Sequence, residues 1–86
     1  MELKFRAIDR SLLKMLFVRG LAYEISGIVK RGNVERRWEI ICHRRTSFSD
    51  DVSFTAGVYG MYAQIRGEDL DKVLDELEAL IERAVA

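Results

Sequence analysis

We predict an α+β fold in which an antiparallel sheet of three or four strands is covered on one face by two helices. Three features of the sequence lead to this prediction. Two β-rich runs flank a turn signal at Gly32-Asn33, and an apolar stripe with helical spacing lies on either side of the strand-forming region. With 86 residues the chain has room for one domain, so we expect a single unit over residues 1–86 in the order β-α-β-β-β-α.

The first part of the chain predicts a short strand and then a helix. Leu3 and Phe5 alternate with polar residues, which is the period of a half-buried strand that pairs within the chain or across an interface. Asp9 is a suitable N-cap, and we expect the helix to run from there to Arg19 and to end at Gly20. Its predicted core stripe consists of Leu12, Leu13, Leu16 and Phe17.

A hairpin is predicted next, because glycine followed by asparagine is typical of a two-residue β-turn. If Arg31 opposes Val34, Gly27 lies opposite Trp38, and the large indole covers the space that the glycine leaves. Residues that oppose each other share a face of the sheet. The face predicted to enter the core carries Leu21, Tyr23, Ile25, Val29, Trp38, Ile40 and Cys42.

The segment after the polar loop at residues 46–51 does not alternate in a single way. From Val52 to Arg66 apolar residues point to both sides, which predicts a strand that is buried on both faces or lies at an oligomer interface. Ile28 and Ile41 face away from the predicted core. We therefore predict a homo-oligomer. Its predicted interface residues are Ile28, Ile41, Tyr59, Met61 and Ile65.

The C-terminal part predicts a second helix. Gly67 interrupts the strand pattern, and the acidic residues that follow suit the positive end of a helix dipole. A long apolar stripe from Leu70 to Val85 then has the spacing of an amphipathic helix. We expect this helix to cover the sheet.

Charge is balanced over the whole chain but not along it. The 14 basic and 14 acidic residues cancel, which removes the simplest argument for a nucleic-acid-binding or membrane-surface protein. Residues 1–45 nevertheless carry 11 basic against 5 acidic side chains, and residues 46–86 carry 3 against 9. Either the fold brings the two halves together, or the molecule is bipolar with one anion-seeking surface.

Basic residues around the predicted turn give the leading functional hypothesis. A protruding basic ribbon suits phosphate contact, so we predict an accessory module that binds an anionic partner, nucleic acid first. The predicted anion-binding residues are Lys30, Arg31, Arg36, Arg37, Arg44 and Arg45. The alternative is a protein-interaction module whose charge polarity steers its own assembly or an acidic partner.

Enzymatic chemistry has little support in the sequence. Cys42 and His43 are strand neighbours, so their side chains point to opposite faces and do not readily share a metal or form a nucleophilic pair. A site around His43 and Asp50-Asp51 at a subunit interface is the third hypothesis. We predict no catalytic residues, no metal and no cofactor.

The compartment is also predicted from composition. A single cysteine cannot form an intramolecular disulfide, which favours a reducing compartment, the cytoplasm. The most apolar early run, from Leu12 to Val18, is too short to span a bilayer, so we expect no membrane association.

Overall fold

The structure, a computed structural model, describes residues 10–44 and 51–86, and these residues form an α+β domain. Within these residues four antiparallel strands form one sheet in the sequential order β1-β2-β3-β4, as predicted for the fold class. The predicted strand around Leu3 and Phe5 lies outside the described residues. The elements are α1 (Arg10–Val18), β1 (Glu24–Arg31), β2 (Val34–Arg44), β3 (Val52–Val58), β4 (Gln64–Gly67) and α2 (Leu70–Ala84).

The β1–β2 hairpin has the predicted register. Arg31 pairs with Val34, and Gly27 pairs with Trp38, whose side chain is completely buried. Gly32 adopts a φ of +61°, a conformation that glycine reaches without steric cost. The turn therefore sets the register along the whole hairpin.

The predicted single strand from Val52 to Arg66 is wrong. The chain reverses direction between β3 and β4, where Gly60 adopts a φ of +88° and the Met61 amide donates to the Val58 carbonyl at 3.1 Å. Two short strands result instead of one long strand with two apolar faces. Within β3 the burial alternates, with Phe54, Ala56 and Val58 on the helix-covered face.

The core lies between one face of the sheet and the two helices. Phe17 of α1 meets Phe54 of β3 edge to face, with 5.5 Å between the ring centroids. Helix α2 lies mainly over β3 and β4. The large side chains that are almost completely buried are Leu13, Phe17, Ile25, Trp38, Ile40, Val73, Leu74, Leu77 and Leu80.

Three residues predicted for the core lie at the surface. Leu12 is partly exposed, and Leu21 and Tyr23 expose 64% and 56% of their surface. For Leu21 the reason is the way α1 ends. Gly20 adopts a φ of +68°, and the Leu21 amide donates to the Leu16 carbonyl at 2.9 Å, which ties Leu21 to the end of the helix before β1 begins.

The face of the sheet on which no described helix packs is called the open face below. It presents Ser26 and Ile28 from β1 and, by alternation, Arg37, Glu39 and Ile41 from β2. Thr55 and Gly57 of β3 and Gln64 and Arg66 of β4 continue it. None of the described helices is long and apolar enough to cross a bilayer.

Candidate functional site

The basic residues of the hairpin do not form a single surface. Strand alternation places Arg31 and Arg36 on the side of Trp38, which the helices cover, and Lys30 and Arg37 on the open face. Adjacent charges in the sequence are therefore separated by the thickness of the sheet. A flat ligand cannot contact all four side chains from one direction.

Several cations of the first half pair with acids of α2. Arg31 contacts Glu82 at 2.8 Å between Nη2 and Oε2. Across the helix pair, Arg10 contacts Asp75 at 2.9 Å, and Lys14 contacts Asp71 at 2.6 Å. The fold thus brings the basic and acidic halves of the sequence together. Of the two alternatives that the charge distribution left open, this agrees with the first and not with a bipolar molecule.

Arg37 is held at the open face by its neighbours. Its Nη2 donates to the Ser26 hydroxyl at 2.9 Å, and its guanidinium lies 5.9 Å from the centre of the Tyr59 ring. The Tyr59 hydroxyl in turn donates to Glu39 at 3.1 Å. These contacts orient Arg37 over the sheet and not toward the hairpin tip.

Arg44 has a structural role. Its Nη2 donates to the carbonyl oxygens of Phe17, at 2.5 Å, and Val18, at 3.4 Å, at the C-terminal end of α1. A cation at this position also interacts favourably with the negative end of the helix dipole. Arg45, the last predicted anion-binding residue, lies outside the described residues.

Two of the predicted anion-binding residues point to solvent at the tip. Lys30 and Arg36 are exposed, and neither forms an ion pair within residues 10–44 and 51–86. Arg36 donates to the backbone carbonyl of Glu35 at 3.2 Å. The candidate phosphate-contacting surface is therefore smaller than the sequence predicts.

The five predicted interface residues lie in three different environments. Ile28 and Ile41 are on the open face, where Ile28 is 40% exposed and Ile41 is half-buried. Tyr59 is exposed beside them, whereas Met61 packs against the core. Ile65 is buried on the helix-covered side.

Cys42 and His43 point to opposite faces of β2. Cys42 is buried, and this burial raises the pKa of its thiol, an effect that the nearby Arg44 guanidinium opposes. His43 is exposed, with Nε2 at 2.9 Å from the Thr55 hydroxyl. Among the described residues no three metal-ligating side chains lie close enough to hold an ion, and Asp50 is not among those residues.

Sequence reasoning missed the exposure of five large apolar side chains between α1 and the start of β1, a segment that we call the α1–β1 corner. Five of the eight exposed large apolar side chains in the described residues belong to it. Val18, at 72%, is more exposed than the others of this group. A signal existed in the sequence, because α1 carries apolar residues outside its core stripe. The corner consists of Leu12, Met15, Val18, Leu21 and Tyr23.

The open face also contains a groove of about 410 Å³ beside the turn that joins β3 to β4. Gly57 forms part of its floor, and among the described residues that line it Glu39 is the only charged one. Tyr59 and Tyr62 line it on the side of the turn.

No protein-family model, no curated protein and no solved structure matches this chain at a significant level.

Proposed function

We propose that this chain is a protein-interaction module that docks an acidic, amphipathic segment of a partner protein at the α1–β1 corner. The observation that carries the proposal is the concentration of exposed apolar side chains between Leu12 and Tyr23. Isolated apolar residues are normal at a protein surface, whereas a group of them is typical of interaction sites. A partner that covers them gains the free energy of apolar burial.

Charge at the corner supports an acidic partner. Arg10 and Lys14 pair with acids of α2, so Arg19 is the basic residue of this segment that forms no ion pair with the described residues. The Arg44 guanidinium lies against the carbonyls that end α1 and adds positive charge there. A second copy of this chain would bring like charges together at a corner-to-corner contact, because each copy presents the same Arg19 and Arg44.

Two synthetic peptides test this proposal by NMR. One is a helical peptide of repeating Leu and Glu, and the other has Lys in place of every Glu. We expect the acidic peptide to shift the amide resonances of residues 12–23, and the basic peptide to leave them unchanged. The double variant Val18→Ser/Leu21→Ser should lose the shifts, whereas Ile28→Ser, which removes an exposed apolar residue of the open face, should keep them.

Other results would contradict the proposal. Equal binding of both peptides would show apolar adsorption without charge selection. Concentration-dependent sedimentation that the double variant abolishes would identify a second copy as the occupant. That outcome would support the predicted homo-oligomer in place of an acidic partner.

Nucleic acid remains the second candidate partner, supported by the exposure of Lys30 and Arg36 at the hairpin tip. If both contact duplex DNA, replacing them with glutamine should reduce the slope of log affinity against log salt by about 1.8, or about 0.9 for each contact. Lys72→Gln, a matched change on α2, should leave the slope unchanged. The same slope in all three proteins would remove the phosphate-contact hypothesis.

The predicted compartment is the cytoplasm. The free thiol of Cys42, which is buried in the core, supports it, because a reducing compartment keeps such a thiol unmodified.

A further inference from the structure

The groove on the open face has a floor that glycine makes possible. Gly57 is paired with Glu39 of β2 and with Gln64 of β4, so it lies in the middle of the sheet. A Cβ atom at this position would lie 3.8 Å from the Ala63 carbonyl oxygen. A side chain there would therefore occupy the groove between β2 and the turn. Because glycine has no side chain, the backbone at Gly57 is open to a ligand.

The chemistry of the lining is that of a cation site. Glu39 supplies the formal charge of the described lining, and the Tyr59 hydroxyl that donates to its carboxylate at 3.1 Å limits its orientations. The Ala63 carbonyl adds a second acceptor close to the floor. Tyrosine faces attract cations, and Tyr59 and Tyr62 both line the groove, with the Arg37 guanidinium already over the Tyr59 ring.

We propose that this groove binds a primary ammonium group carried on a short hydrocarbon stem, such as a lysine side chain or a free alkylamine. The carboxylate of Glu39 and the carbonyl of Ala63 accept from the ammonium, which has three N–H donors and no acceptor. Ile41 and Met61, which also line the groove, contact the stem. Its volume of about 410 Å³ lies within the range of small-molecule sites, roughly 300–1,000 Å³.

Two arginines near the groove limit the affinity. The Arg37 guanidinium lies at 5.9 Å from the Tyr59 ring centre, and Arg66 donates to the Gln64 side-chain oxygen at 3.0 Å. Both are outside the lining, but their positive charge opposes a second cation nearby. We therefore expect a dissociation constant of about 1 mM, corresponding to about −4 kcal/mol.

An NMR titration with n-butylammonium tests the site on the intact chain. We expect saturable shifts of the Gly57, Ala63 and Gln64 amides, and no saturable shift with n-butanol, which has the same stem without the charge. Glu39→Gln should weaken binding by about tenfold or more, because it removes the charged acceptor and keeps the shape. Glu35→Gln, the matched change at an exposed position of the same strand, should bind as the unmodified chain does.

The melting temperature of each variant shows whether it is folded. Tyr59→Phe provides a second variant, since it removes only the hydroxyl that orients Glu39, and it should weaken binding less than Glu39→Gln. Equal shifts with n-butanol, or equal binding by Glu39→Gln and Glu35→Gln, would overturn the proposal. Nα-acetyl-lysine methylamide distinguishes the sources: binding tighter than n-butylammonium indicates a lysine of a polypeptide, and weaker binding indicates a free amine.

Discussion

The two described helices cover the same face of the sheet, yet α2 buries all of its apolar side chains that form a stripe and α1 does not. In α2 the apolar side chains form one stripe, and that stripe is buried against the sheet. In α1 Leu13, Leu16 and Phe17 are buried, whereas Met15 and Val18 are exposed. The opposite side of α2 is charged, while that of α1 is partly apolar. The buried residues of α2 are Leu70, Val73, Leu74, Leu77, Leu80 and Ile81.

This difference shows that helical periodicity and burial are separate properties. A helix buries only as many apolar residues as the surface opposite it can cover. The nine-residue helix α1 has more apolar side chains than its core-facing side can bury. The surplus lies at the α1–β1 corner. It is this surplus, and not the basic hairpin tip, on which we base the proposed docking function.

The largest expected effect comes from equal truncations in the two helices. Leu77 of α2 is completely buried, so Leu77→Ala should lower the free energy of unfolding by about 2–5 kcal/mol. Leu12→Ala on the outer side of α1 should cost less than about 1 kcal/mol. Urea unfolding followed by the fluorescence of Trp38 measures both. Similar losses of unfolding free energy in the two variants would show that the outer side of α1 is covered, and would contradict the difference between the two helices.

A second test concerns how α1 ends. Arg44→Met keeps the aliphatic stem but removes the donor to the Phe17 and Val18 carbonyls, and it should cost about 1.5–3 kcal/mol. Arg66→Met, on the exposed part of β4, is the matched control and should cost less than about 1 kcal/mol. If the two variants unfold at the same urea concentration, the contact from β2 does not stabilise α1.

The beginning of α2 gives a smaller effect. The Asp69 carboxylate accepts from the Asp71 amide at 3.0 Å and from the Lys72 amide at 3.5 Å. Asp69→Ala should therefore cost about 1 kcal/mol and speed hydrogen exchange at these two amides. Glu76→Ala, which removes an exposed acid from the middle of the helix, should leave both exchange rates unchanged. Unchanged hydrogen exchange at these two amides in Asp69→Ala would mean that the carboxylate cap does not protect them.

The smallest effect is expected for the ion pairs between the helices. Arg10 contacts Asp75 and Glu78 at 2.9 and 3.4 Å, but both acids are largely exposed and the Arg10 side chain is 39% exposed. Arg10→Gln should cost about 0–1 kcal/mol, and 1 M salt should reduce the difference from the unmodified chain. Thermal unfolding of both proteins at low and high salt measures this difference in stability. A salt-independent loss above this range would indicate that Arg10 stabilises the helix pair by packing.

Some features were accessible from the sequence because they depend on a few neighbouring residues. The Gly32-Asn33 turn determined the register that places Trp38 over Gly27, and Gly20 marked the end of α1. The stripe from Leu70 onward predicted α2 and its buried side. Turn geometry and side-chain periodicity act over one or two turns of the chain, so local residues suffice to predict them.

Other features were decided only by the tertiary structure. Arg31 donates to Glu82, and Arg44 donates to a carbonyl at the end of α1, because packing brings distant parts of the chain within hydrogen-bonding distance. The groove over Gly57 exists because β4 folds back beside β3, a reversal that the mixed pattern of residues 52–66 concealed. Whether an apolar residue is buried depends on what the rest of the fold places against it, and a local pattern contains no information about that neighbour.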